Sequence, residues 1–185
     1  LTDKDGAPLG MYDWVVSTAP PVQTARLFGA YLPEDSPVRG ARLLGCHALM
    51  LGMSHPPDMP WIAARVQNNP INWISLNSSK PGRNPDITAY VLHTDNAWSE
   101  YHIEDDIAEV QSYLLEQFEA ITGIRTNNAD YLSTHRWRYA VAEEAQNAPP
   151  FHHPALGLAA VGDWCAPSRV EDIWHAAMRL AAMPI

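Results

Sequence analysis

Val161-Gly-Asp-Trp-Cys-Ala-Pro-Ser-Arg-Val-Glu-Asp-Ile-Trp-His-Ala-Ala-Met-Arg-Leu-Ala182 is an apolar run, a Gly-Asp pair, a turn and an amphipathic stretch. It predicts a short buried strand over 157–161, then a helix from Val170 to Ala182. A strand that stops at Gly162 offers bare backbone to a ligand, and the adjacent Asp163 carboxylate accepts hydrogen bonds from sugar-like hydroxyls. The free N–H groups of the following helix, and its dipole, favour negative charge such as a phosphate or the electron-rich edge of a reduced ring. Read physically, the stretch is half of a dinucleotide cradle.

The other half is not written in these residues. A Gly-x-Gly-x-x-Gly turn between strand and helix, with an acid about twenty positions on, holds a dinucleotide pyrophosphate, and no such run occurs. Leu1 to Gly10 reads as a polar hairpin or loop that feeds a strand over Tyr12–Thr18, and the first residue is not Met. The chain is therefore expected to start inside a domain, as a fragment or as one partner of a split protein.

Composition narrows the partners. With 185 residues the chain is long enough to bury roughly 70% of its unfolded surface. A net charge of −9 and a pI near 5.2 disfavour nucleic acid and anionic membranes, which need a basic face. No apolar run reaches membrane-span length, and two cysteines, Cys46 and Cys165, do not make a disulfide framework. No signal peptide is seen, and a reducing, cytoplasmic setting is expected.

Sixteen prolines punctuate the chain into short elements. The β-branched run Asp13–Ala19 ends at Pro20-Pro21, so a strand, a tight turn and a helix over Pro20–Tyr31 are predicted. Strands follow over Ala41–Met53, Ile71–Leu76 and Asp86–Thr94, the last two joined by the loop Asn77–Pro85. A helical region begins at Ser99, with Ile107, Val110, Leu114, Leu115 and Phe118 on one face and Gly123 as its stop. Asp130–Ala142 alternates as a half-buried strand does. The order β-α-β-β-β-α-β-β-α implies an α/β (α+β) chain whose middle strands pair as an antiparallel sheet backed by the long helix.

Five collinear segments resemble the carboxy-terminal half of renalase-like flavoproteins, in the flavin-containing amine oxidase superfamily. They are Asp13–Gln23, Asn77–Arg83, Val91–Thr94 with Trp98-Ser99, His135–Ala140, and Gly162–Cys165 with Arg169–Glu171. The resemblance implies a two-domain enzyme: a Rossmann-type domain binds FAD, and a mostly antiparallel domain covers the flavin and binds substrate. It implies that residues 1–32 and 157–185 belong to an incomplete FAD domain and 33–156 to the substrate domain. FAD would then bind only together with the missing amino-terminal half. Gly162 and Asp163 would lie at the ribityl-pyrophosphate junction, backbone amides near Val170 and Glu171 would face the flavin pyrimidine edge, Ala19 and Pro20 would lie beside the same cofactor, and Trp164 and Arg169 complete the cofactor-binding set. Where the family has Arg-Val-Glu-Gly-Ala-Trp-x-Ser-Gly, this chain has Asp172, Ile173 and Ala177, larger residues than the family's two glycines and alanine.

Other marked residues each carry two readings. Lys80 is a solvated loop lysine or a catalytic cation that meets a substrate anion or holds a water at the flavin. Trp137 and Tyr139, two apart on a strand, wall a ring-binding pocket or pack a core, with Arg136 and Arg138 pointing the other way. His135 orients substrate or is structural. The eight histidines show no HExxH and no Cys/His ligand spacing, so no metal site is predicted, and Gly52-Met-Ser-His55 lacks the second glycine of a nucleophile elbow.

The expected function is the substrate-binding portion of an FAD-dependent oxidoreductase that takes a hydride from an amine or a dihydronicotinamide-like small molecule. The fragment alone is expected to be inactive. The alternative is a non-catalytic partner subunit that has lost flavin, which Asp172, Ile173 and Ala177 favour.

Overall fold

A computed structural model describes residues 1–55, 58–84, 86–144, 148–167 and 169–184. In chain order the elements are β1 (Val15–Ser17), α1 (Pro21–Phe28), α2 (Pro37–Gly40), β2 (Leu43–Met53), β3 (Ala63–Arg65), β4 (Ile71–Leu76) and β5 (Thr88–Thr94). Then come α3 (Asn96–Tyr101), α4 (Ile107–Thr122), β6 (Tyr131–Ala142), β7 (Phe151–His153), β8 (Leu158–Ala160) and α5 (Val170–Ala181). They form two compact units, Leu1–Leu43 with Val141–Ile185, and Leu44–Ala140. The divisions fall at 43/44 and 140/141, near the ends of β2 and β6, whereas the sequence placed them at 32/33 and 156/157.

The second unit carries the five-stranded sheet β3-β4-β5-β2-β6. The pairs β4/β5 and β2/β5 are antiparallel, as the sequence implies, and β3 adds to β4 antiparallel as well. One face is sealed by α4: Val110, Leu114 and Phe118 recur every four residues and pack with Leu49, Leu51, Ile71, Ile74, Tyr90 and Leu92. The rings of Tyr90 and Phe118 lie 5.3 Å apart. Gly123 ends α4 at φ 73°, the left-handed cap expected of it.

The helical region differs from its sequence reading. It starts at Asn96 rather than Ser99 and breaks into two helices, because Asp95 and Asp106 each cap an N-terminus. Asp95 accepts from the N–H groups of Ala97 and Trp98, and Asp106 from those of Ala108 and Glu109. The three-residue strands β3 and β7 and the single turn α2 are too short to leave a periodic signal and were not anticipated.

The first unit holds the sheet β1-β8-β7, in which β1 runs parallel to β8 and β7 antiparallel to it. Its core gathers Phe28, Leu32, Val38, Ala160, Val161, Trp164, Cys165 and Ala176. Gly157, at φ 61°, cannot be another residue: a Cβ there would collide with the Asp13 carbonyl oxygen. Among the described residues no helix is long and apolar enough to cross a membrane.

Candidate functional site

In the first unit the carboxyl ends of two parallel strands lie side by side, with Ser17 opposite Ala160. Open α/β sheets place ligands outside such strand ends. After β1 the chain turns through Ala19 and Pro20 into α1, and this turn is pinned by buried hydroxyls. Ser17 Oγ and Thr24 Oγ1 are 2.7 Å apart, and Thr24 Oγ1 donates to the Ala19 carbonyl at 2.9 Å. Ala19 and Pro20 are half-buried.

After β8 the backbone is extended at Gly162 and closes into a single 3-10 turn over Asp163–Cys165, where the Cys165 N–H donates to the Gly162 carbonyl at 2.8 Å. Gly162 and Asp163 are half-buried, and the Asp163 carboxylate has no hydrogen-bond partner among the described residues. Trp164 is buried to 1% exposure in the core, and its Nε1 has no partner. A Cβ on Gly162 would sit 3.0 Å from that nitrogen, so the glycine admits the indole beneath it. Arg169, Val170 and Glu171 are exposed at the start of α5, and no side chain caps that helix. Its first turn carries Glu171 and Asp172.

The second unit brings His135, Trp137 and Tyr139 onto one face of β6. The residues that alternate with them point to the α4 side: Thr134 Oγ1 donates to Gln111 at 3.0 Å, Arg136 to the Asp105 carbonyl, and Arg138 to the Glu104 carboxylate. The arginines thus meet the acidic loop just before α4. The His135 and Trp137 rings stand edge to face at 4.2 Å, and Trp137 and Tyr139 are 53% and 37% exposed, so β6 is not a core strand. Lys80 is exposed in the turn that follows Asn77–Ser79, with no side-chain partner among the described residues.

The thiols offer no nucleophile. Burial pushes Cys46 and Cys165 upward, which keeps both protonated at neutral pH. Sequence reasoning missed a second group on the sheet face away from α4, where Arg65, Trp73 and His93 are direct cross-strand neighbours. No residue spacing announces it, because the three come from three strands.

No family model matches the chain. Its fold is similar to that of a protein from Exiguobacterium sp. 255-15 provisionally assigned as a protoporphyrinogen oxidase, with a TM-score of 0.69 and 16% identity over 91% of this chain and 40% of that one. It is similar to an oxidoreductase from Methanosarcina mazei, with a TM-score of 0.63 and 17% identity over 94% and 44% of the two chains. It is also similar to putrescine oxidase bound to putrescine, with a TM-score of 0.60 and 12% identity over 91% and 42%. The chain spans less than half the length of these structures, and at such identities the likeness is one of fold alone, a mixed α/β fold over part of each of those chains.

Proposed function

We propose that this chain is the substrate-binding portion of an FAD-dependent oxidoreductase that removes a hydride from an amine or a dihydronicotinamide-like ring. One observation carries the reading: the parallel ends of β1 and β8 are each followed by a turn and a helix, with Gly162 and Asp163 half-buried there and the uncapped start of α5 exposed. These residues fit a flavin nucleotide. Gly162 brings bare backbone, Asp163 brings a free carboxylate for ribityl hydroxyls, and Arg169 brings a cation for the diphosphate. The first N–H groups of α5, at Val170 and Glu171, would donate to the pyrimidine edge, with Ala19 and Pro20 alongside. Trp164 would act from below, by holding Gly162 in place.

Bound there, FAD supplies the hydride acceptor. In the second unit, Trp137 and Tyr139 would take the flat part of the substrate, His135 would orient it, and Lys80 would meet an anion or hold a water. Val16, Val170, Trp174 and Met178 are 53%, 90%, 58% and 51% exposed, which suits a surface covered by the remaining FAD-binding polypeptide.

The test is a visible absorption spectrum of the whole protein, or of this chain mixed with its FAD-binding half. A yellow protein, with a flavin band bleached by substrate under anaerobic conditions, is expected. A colourless protein that refuses added FAD overturns the reading. It would leave the second one, a flavin-free partner subunit, which Asp172 in the first turn of the helix favours by adding negative charge near a diphosphate.

A further inference from the structure

Across β3, β4 and β5, Arg65 stands opposite Trp73, and Trp73 opposite His93. The next pairs, Ala64 with Ile74 and Ile74 with Leu92, point the other way into the α4 core, where Ile74 and Leu92 are buried. Arg65, Trp73 and His93 therefore share the open face. They line a cleft of about 540 Å³ together with Val66, Asn72 and Asp95. That volume lies within the range of small-molecule sites.

Asn72 and Trp73 should not face the same cleft, since successive strand residues alternate. They do so because β4 is irregular here. Ile71 pairs with Thr94 and Trp73 with His93, leaving Asn72 as an extra residue, a bulge. The neighbouring turn is also unusual. Asn68 adopts φ 56°, and Asn68, Asn69 and Pro70 line an adjoining hollow of about 380 Å³ that shares Val66, Asn72 and Asp95 with the first. Bulges re-aim side chains beside binding sites, at the expense of ladder hydrogen bonds.

The polar groups in the cleft differ in one respect. Asp95 is engaged, since its Oδ1 caps α3 through the N–H groups of Ala97 and Trp98 at 2.9 and 3.1 Å. Arg65 has no ion-pair or hydrogen-bond partner among the described residues, and neither do the Asn72 carboxamide, the Trp73 indole N–H or the His93 ring. The cleft thus presents one cation without an ion-pair partner, one carboxamide and a flat indole in a row, with the capping Asp95 carboxylate in the same lining. Adjacent strands are about 4.8 Å apart, so Arg65 to His93 spans roughly 10 Å, room for one ring and one substituent.

We propose that this cleft binds a small molecule with a flat aromatic ring and one anionic substituent. The ring lies against Trp73 and His93, and the carboxylate or phosphate takes the Arg65 guanidinium and the Asn72 amide. The β6 residues His135, Trp137 and Tyr139, two strands along the same sheet, do not line this cleft, and it needs no flavin.

The test is calorimetric titration of the whole protein with benzoate, phenyl phosphate, benzamide and benzylamine. Benzoate or phenyl phosphate should bind more tightly than benzamide, and the tighter of the two names the anion. Arg65→Met should weaken the anion at least tenfold and leave benzamide unchanged, while Arg65→Lys falls between. Trp73→Leu should weaken every ring probe. Arg65 lies on an exposed edge strand, and an unchanged circular dichroism spectrum certifies each variant. Tighter binding of benzylamine, or benzoate binding indifferent to Arg65→Met, overturns the proposal. Because no readout is flavin colour, a colourless protein that binds benzoate defeats the oxidoreductase reading alone, and a yellow one blind to every anion defeats this inference alone.

Discussion

The imidazole of His47 stands edge-on to the indole of Trp98, ring centroids 5.8 Å apart, fully buried and with both ring nitrogens unpartnered. Burial lowers its pKa from the ordinary 6.5, the charges of Arg136 and His102 push the same way, and Asp105 opposes them. The folded state therefore takes up a proton at His47 less readily than the unfolded chain. Stability should be complete above the unfolded value and fall as pH drops below about 6.5. Urea midpoints measured from pH 7.5 down to 5 should decline, and His47→Leu should flatten the decline. The His93 pKa is also lowered by desolvation, so His93→Gln in the same series supplies its separate share. A His47→Leu curve parallel to the wild type would refute the assignment.

Leu114 is fully buried at the centre of the α4 face. Leu114→Ala should cost about 2–5 kcal/mol through lost burial and the cavity left behind. Chemical denaturation reads this directly, and a loss under 1 kcal/mol would mean that α4 is not what seals the sheet.

Gly157→Ala should be more damaging than its size suggests. The left-handed backbone alone costs about 1–3 kcal/mol, and the added methyl meets the Asp13 carbonyl. Val15 donates its N–H to the Gly157 carbonyl at 2.8 Å, so the change should part β1 from β8. Hydrogen exchange should show faster exchange at Val15 and Val161 while Leu49 and Leu92 stay protected.

Two acids near the strand ends should act in opposite directions on flavin. Asp163→Ala removes a free acceptor and should weaken FAD binding about tenfold, the worth of a hydrogen bond to a charged group. Asp172→Asn removes a charge near the diphosphate and should tighten it by roughly threefold, although the helix loses about 0.3–1 kcal/mol of dipole stabilisation. Titration of flavin fluorescence with each variant distinguishes them, and equal effects of the same sign would contradict the placement.

Periodic elements were legible in the residues alone. The heptad-like recurrence of Val110, Leu114 and Phe118 and the stop at Gly123 gave α4, and the apolar runs gave β2, β4 and β5. The alternation of β6 gave its two faces, with arginines on one side and aromatics on the other. Whether those aromatics pack a core or stay open was not readable, since an edge strand and an inner strand alternate alike. Trp164 carried the wrong emphasis for a similar reason: a Gly-Asp-Trp run does not reveal that the indole goes inward. Asn72 and Trp73 were unreadable because a bulge breaks the period of two on which strand reading depends. The capping aspartates Asp95 and Asp106 were legible in principle, since each precedes a helix start.

The parallel pairing of Val15 with Leu158 fixes an order of assembly. During synthesis β1 emerges long before β8 and must wait for it while the whole of Leu44–Ala140 is translated. Closing so long a loop is entropically slow, but the intervening unit, once folded, sets its own first and last strands β2 and β6 side by side. What remains for the late-arriving segment is a short bridge, and the salt link from Arg42 to Glu143 at 3.0 Å marks where it closes. A nascent chain halted before residue 158 would accordingly carry a finished five-stranded sheet while β1 still lacked β8.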